Sequence, residues 1–305
     1  METVIAIEHL SKRYKDVQAV ENLSLEVKKG EIYGFIGLNG SGKTTTIRMM
    51  LGMIKPTDGA CWLLGKKVGL ANFKLWEKVG YLVETPYAYP ELTVVENLDL
   101  FCRLRQIKDP NAVKQIIEEL KLAPYAKRKA KHLSLGNAQR LGIAKALLHE
   151  PEILILDEPV NGLDPAGIVE VREMLRDLAA NKGVSIFLSS HLLSEVALIA
   201  DKIGIIHYGR LVEQFETDNL NSLIERKLLA NTRNNAAASS ALALEGIPCR
   251  VDPDGLIEIA DKLLLERPEI VSGKLVELGF PPVYLSVEVE SLEAYFLRAI
   301  RGEGA

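Results

Sequence analysis

One eight-residue segment, Gly37-Leu38-Asn39-Gly40-Ser41-Gly42-Lys43-Thr44, restricts what this chain can fold into more than any other. It follows a short apolar run at 31–36, which reads as a strand, and precedes a helical stretch at 44–51 that Gly52 and Pro56 stop. A strand, a glycine-rich loop and a helix in that order form a phosphate-binding unit. The glycines let backbone amides point inward around phosphate oxygens, and the helix N-terminus adds positive potential. A plain glycine turn before a helix would share the glycines but has no need of Lys43 and Thr44. In a phosphate loop Lys43 reaches the β- and γ-phosphates and the Thr44 hydroxyl holds Mg²⁺. Gly37, Asn39, Gly40, Ser41, Gly42 and Thr45 complete the expected nucleotide-binding set.

A continuously apolar run at 153–156 ends in Asp157-Glu158, 114 positions beyond Lys43. Ligands of parallel sheets bind at the C-terminal edge of the strands, where this pair falls. Asp157 is expected to hold Mg²⁺, directly or through water, and Glu158 to polarise the attacking water as the catalytic base. An acidic pair after a strand is by itself as compatible with a solvated helix start. The second apolar run at 184–188, ending in Ser189-Ser190-His191, strengthens the catalytic assignment. His191 has a plainer alternative as a helix-capping residue.

The surrounding pattern is that of an α/β domain. Residues 4–10 and 17–27, with Lys28-Lys29-Gly30 as a turn, read as antiparallel strands. Helical spacing at 92–106 and 111–122 makes the middle of the chain an inserted helical region, about 85–145. The buried runs at 153–156 and 184–188, joined by a helix at 166–180, look like parallel strands with a helical crossover.

Against this background the chain resembles the ATP-binding cassette (ABC) family over nearly all of residues 1–220. Leu133-Ser134-Leu135-Gly136-Asn137, followed by Gln139-Arg140, is similar to that family's signature motif, which other phosphate-loop ATPases lack. Pro159-Val160-Asn161-Gly162-Leu163-Asp164-Pro165 looks like its D-loop, and His191 matches its switch histidine. Tyr14 stands where the family places an aromatic that stacks on adenine, an assignment that rests on the resemblance alone. The resemblance implies a phosphate-loop (RecA-like) core with an antiparallel β subdomain and a helical insertion, binding ATP and Mg²⁺. It implies that Ser134 and the Gly136 backbone grip the γ-phosphate of an opposite cassette. One phosphate loop and one signature cannot build that site alone, so pairing with a second cassette is expected, with itself as a homodimer or with a similar cassette.

Two departures refine the comparison. Leu135-Gly136-Asn137 replaces the usual Gly-Gly-Gln and loses some backbone freedom. Glu84 stands where most members carry a glutamine that contacts Mg²⁺ and hinges toward the membrane subunit. A carboxylate also ligates Mg²⁺, but adds charge beside a triphosphate. Together these features are similar to the cassettes of bacitracin export and lantibiotic immunity. The implied function is the ATP-hydrolysing subunit of an exporter of a peptide antibiotic, drug or lipid-like compound. The alternative is a nontransport ABC ATPase acting on ribosomes or DNA, disfavoured by the single cassette and the 114-residue spacing.

Composition sets the remaining bounds. With 37 Lys and Arg against 41 Asp and Glu, the formal charge is −4, and a basic nucleic-acid footprint is missing. Cys61, Cys102 and Cys249 are too scattered for a zinc site or disulfide framework, which suits a reduced cytosolic setting. No secretory signal follows Met1, and no apolar run approaches the roughly 18 residues of a membrane span. A transmembrane permease on a separate chain is therefore expected, with this subunit peripheral on the cytoplasmic face. The run Lys127, Arg128, Lys129, Lys131 and His132 reads as a solvated face, or as a surface for anionic headgroups or acidic permease loops.

Residues 221–305 hold 9 basic and 13 acidic residues and so carry the whole negative balance. Strand-like runs at 228–230, 249–251, 256–260 and 283–287 alternate with helical segments at 235–245 and 268–278. Asp252-Pro253-Asp254-Gly255 is a hairpin turn between the second and third strands. The order βαββαβ, closed by a helix at 291–300, is that of a small ferredoxin-like α+β domain. Its acidic balance suggests a regulatory or dimer-contact role, the alternative being a stabilising extension.

Overall fold

The structure, a computed structural model, describes residues 2–84 and 86–302. Thr85, within the stretch read around Glu84, lies outside them. The chain divides into two compact units, 1–218 with 299–305, and 219–298.

In the first unit β1 (Thr3–Tyr14) and β2 (Val17–Lys28) pair antiparallel, as their alternation requires. β3 (Ile32–Ile36) enters a different sheet and leads through the glycine loop into α1 (Lys43–Met50). β4 (Asp58–Leu63) and the two-residue β5 (Lys66–Lys67) complete a four-stranded antiparallel sheet of order β2-β1-β4-β5. β6 (Val79–Leu82) then joins the sheet of β3. α2 (Val94–Arg105) opens on a capping box: the Thr93 hydroxyl accepts from the Glu96 amide while the Glu96 carboxylate accepts from the Thr93 amide. α3 (Ala112–Glu119) and α4 (Leu135–Leu147) complete the helical insertion.

β7 (Ile153–Asp157) is buried along its whole length. α5 (Pro165–Lys182) starts with Asp164 as N-cap and Pro165 in the first turn, and stops at Gly183 in a left-handed conformation. It returns the chain to β8 (Ser185–Ser190), parallel to β7 with Asp157 opposite Ser189. A short α6 (Leu193–Val196), then β9 (Lys202–His207) and β10 (Arg210–Glu216), finish the unit. The sheet order is β10-β9-β3-β8-β7-β6, parallel except for the β9–β10 hairpin. β3 pairs on one side with β8 and on the other with β9, which puts the glycine loop at the C-terminal edge, where α/β sheets bind ligands. Its core joins the two sheets through Ile5, Ile7, Leu23, Phe35, Ile47, Met50, Ile153 and Phe187.

The second unit begins at a short α7 (Leu220–Leu223) and β11 (Arg226–Asn231). α8 (Asn235–Leu244) is a helix capped by the Asn234 side chain, within the helical segment expected at 235–245. β12 (Arg250–Val251) and β13 (Ile257–Ile259) flank a turn in which the Gly255 amide donates to the Asp252 carbonyl at 3.0 Å, with Gly255 at φ 83°. α9 (Lys262–Glu266), α10 (Pro268–Glu277), β14 (Tyr284–Val289) and α11 (Leu292–Arg301) follow. The antiparallel order β12-β13-β11-β14 is the strand arrangement of the ferredoxin-like topology expected from the sequence. Its own core gathers Leu228, Ala230, Ala238, Leu242, Ile257, Ile259, Val271 and Leu275.

Candidate functional site

The glycine loop is held open by its backbone. Gly42 sits at φ 109°, and a Cβ there would lie 2.6 Å from the Ala19 carbonyl, so only glycine fits. Lys43 follows as the first residue of α1; it is 6% exposed, and its ammonium donates to the carbonyls of Gly37 at 2.7 Å and Leu38 at 3.3 Å. Ser41 Oγ is buried with no hydrogen-bond partner among the described residues, a polar atom that a ligand oxygen would satisfy. Asn39 and Gly40 are exposed at the loop tip, and Thr45 is half-buried in the first turn of α1.

The ends of β7 and β8 bring the other elements to this loop. Thr44 Oγ1 donates to Asp157 Oδ2 at 2.8 Å, and Ser189 Oγ donates to Asp157 Oδ1 at 2.6 Å. The same Ser189 oxygen accepts the Glu158 amide at 3.0 Å. Glu158 takes φ 51°, left-handed for a non-glycine residue, which turns its carboxylate away from the strand direction. Its Oε1 lies 3.3 Å from Lys43 Nζ and its Oε2 lies 2.9 Å from His191 Nδ1. His191 therefore bonds the carboxylate, and it does not cap α6: the following Leu192 occupies the cap position. Lys43, Thr44, Asp157, Glu158 and His191 thus form one connected polar cluster. A hydroxyl and a carboxylate are hard oxygen donors suited to Mg²⁺.

Ser189, which no sequence motif singles out, is the hinge of the cluster. Its signal was its place two residues before His191 at the end of a buried strand, where it is fully buried.

The remaining assigned residues stand elsewhere. Tyr14 ends β1 and is 45% exposed, with Lys12 Nζ 4.9 Å from its ring centre. Its strand partner Val17 is two positions from Ala19, whose carbonyl abuts Gly42, so Tyr14 lies on the loop's side of the molecule. Ser134 is the N-cap of α4, its hydroxyl accepting the Asn137 amide at 3.3 Å. Ser134 is exposed and Gly136 half-buried, and among the described residues no hydrogen bond or ion pair links either one to 37–45. Leu135 packs over Gly162, where a Cβ would meet its Cδ2 at 2.3 Å, so the signature segment is tied to the loop after β7. Glu84 is exposed at φ 58° and its Oε1 accepts from Arg48 at 2.5 Å. It makes no bond to Thr44 or Asp157 among the described residues. Of the basic run, Lys129 and Lys131 both pair with Glu91, at 3.1 and 2.8 Å.

A groove of about 370 Å³ adjoins Glu84, lined by Arg48, Tyr81, Tyr87, Phe101, Arg105 and Lys145. Burial pulls the Lys145 ammonium down to about 8 while it donates to the Tyr87 carbonyl. Behind it, burial and then the Arg105 charge pull His149 down to about 4, against a bond to the Val79 carbonyl at 3.1 Å. No helix of the described residues is long and apolar enough to cross a membrane.

The ABC transporter family profile matches residues 20–161. The bacitracin transport ATP-binding protein BcrA of Bacillus licheniformis is 40% identical over 309 aligned residues, covering 99% of both chains. The lantibiotic transport ATP-binding protein SrtF of Streptococcus pyogenes is 34% identical, covering 75% of this chain and all of its own length. Among solved structures, an ATP-binding subunit of an ABC transporter superposes with TM-score 0.65 at 32% identity, covering 72% of this chain and 92% of that one. These likenesses agree with the family and the subfamily that the motifs pointed to, and they favour transport over a ribosome- or DNA-acting role.

Proposed function

The chain belongs to the ATP-binding subunits of ABC transporters, and from that premise we propose that it hydrolyses ATP to power export of a peptide antibiotic of the bacitracin or lantibiotic type. Its membrane permease would be a separate chain, since none of the described helices can span a bilayer, and it would work from the cytoplasmic face. The cluster of Lys43, Glu158 and His191 around the glycine loop carries this proposal.

Lys43, Ser41 and the loop amides bind and orient the β- and γ-phosphates, with Gly37, Asn39, Gly40, Gly42 and Thr45 shaping the cradle and Tyr14 beside the base. Thr44 and Asp157 would hold Mg²⁺, with Glu84 as a further oxygen donor. When bound, the ion supplies positive charge on the phosphate oxygens. Glu158 accepts a proton from the attacking water, and His191 keeps its carboxylate aimed. Ser134 and Gly136 stand apart from the loop in their own chain, which supports completion of the site by a second copy: each signature segment would grip the γ-phosphate held by the other chain.

The test is co-expression with a candidate permease in a bacitracin-sensitive host. Raised resistance that disappears with Lys43→Ala is expected. Full resistance conferred by the Lys43→Ala chain would overturn the proposal.

A further inference from the structure

The C-terminal sheet has two unlike edges. At one stands β12, two residues long and carrying Arg250, a combination that resists further pairing. At the other stands β14, six residues paired to β11 without a bulge, and with no strand on its outer side among the described residues. Natural edges of this length are blunted by a lysine, an inner proline or a bulge, and β14 has none of them. The Glu290 amide donates to the Glu225 carbonyl at 2.8 Å. By the alternation of an antiparallel ladder, Tyr284, Ser286 and Glu288 then turn their backbone groups toward β11, and Leu285, Val287 and Val289 turn theirs outward. Apolar side chains are exposed along this edge, Val283 at 67%, Tyr284 at 43% and Val289 at 59%.

We propose that β14 pairs antiparallel with β14 of a second copy of this chain, joining two four-stranded sheets into one of eight. The occupant follows from the self-complementarity of the strand. A two-fold axis normal to the sheet leaves every side chain on its own face, so odd positions meet odd and even meet even. Centred on Ser286, the pairing sets Leu285 opposite Val287 and Tyr284 opposite Glu288; it ends there, because the Val283 amide turns back to donate to the Asn231 carbonyl at 2.8 Å. No like charges meet. Glu288 faces a phenol, the partner it already has within the strand, where Tyr284 Oη donates to its Oε1 at 3.3 Å. Leu285 and Val287 become a hydrogen-bonded pair, as their outward backbone groups require. The inference rests on the pairing of two copies proposed above, and gives the C-terminal unit the dimer-contact role.

The register predicts a cross-link. Ser286 would face its own copy in a non-hydrogen-bonded pair with Cα atoms about 4.5 Å apart, within disulfide reach. The two Tyr284 residues would be about 13 Å apart, four residues out of register. The experiment uses the full-length chain with Cys102 and Cys249 replaced by Ser, the Glu158→Gln substitution, saturating ATP and a mild oxidant. Ser286→Cys should run as a covalent dimer without reductant, Tyr284→Cys should not, and Val287→Pro, which removes an outward amide, should abolish the Ser286→Cys product. No Ser286→Cys product in a chain that elutes as an ATP-dependent dimer overturns the edge pairing and leaves the cassette pairing standing. A Ser286→Cys dimer in a chain that otherwise stays monomeric supports the edge pairing and overturns the cassette pairing. Failure of both overturns both.

Discussion

Lys43 and Glu158 are joined by an ion pair across the phosphate loop, Nζ to Oε1 at 3.3 Å, with the two side chains only 6% and 19% exposed. The residue proposed to bind phosphate and the one proposed to take the proton are therefore in direct contact. The His191 bond at 2.9 Å holds the carboxylate in place.

Lys43→Ala should lower ATP hydrolysis by at least about 10²-fold, the usual loss when a preorganised charge is removed. Phosphate release measured beside a thermal melt checks it: the rate should collapse while the melting temperature moves by only a few degrees. The side chain bonds carbonyls and a carboxylate and is no part of the apolar core.

Glu158→Gln should slow hydrolysis by roughly 10²- to 10⁴-fold while leaving ATP binding in place. The amide keeps an oxygen for hydrogen bonding but cannot take the proton. An ATP-bound dimer should then accumulate on size exclusion with light scattering. A monomer at saturating ATP would count heavily against a shared site.

Glu84 is the point where nucleotide and permease should communicate. Its ion pair with Arg48 is exposed, 57% and 40%, and by itself contributes little stability. Glu84→Gln should retain most basal ATPase activity, because both side chains offer an oxygen. Glu84→Ala should lose substrate-stimulated activity and transport. Parallel assays with and without the permease check this, and an alanine variant coupled as well as the parent would refute the role.

Stability should fall on acidification between pH about 6.5 and about 4. His149 is held near 4 by burial, below its ordinary value of 6.5, so across that window the unfolded chain binds the extra proton. The sign is a loss of stability as pH falls, on the order of 1 kcal/mol once partial exposure is discounted. Thermal melts of the wild type and His149→Gln across this window check it: the variant's curve should be flatter.

Much of this architecture was legible because it rests on local chemistry. The glycine run before Lys43, the apolar run ending in Asp157-Glu158 and the turn at Asp252 to Gly255 each need particular residue types at fixed spacing. Such needs show in the chain itself. The βαββαβ order was readable for the same reason, since period-2 and period-3.6 patterns alternate within residues 219–298.

Other features depend on residues far apart in sequence. Ser189 reads as one more small residue until β7 and β8 lie side by side, when its hydroxyl meets Asp157 and the Glu158 amide together. The Arg48–Glu84 pair and the packing of Leu135 over Gly162 are likewise invisible to any local pattern. The sequence by itself determined which groups could bind phosphate and take a proton, because these are properties of side chains and of the backbone beside them. Tertiary structure alone decided that Lys43, Glu158 and His191 meet, that no bond among the described residues links Ser134 to the loop, and that β14 ends its sheet. Sheet order sets which strand ends converge, and that order is fixed by long-range packing, which no single stretch of the chain encodes.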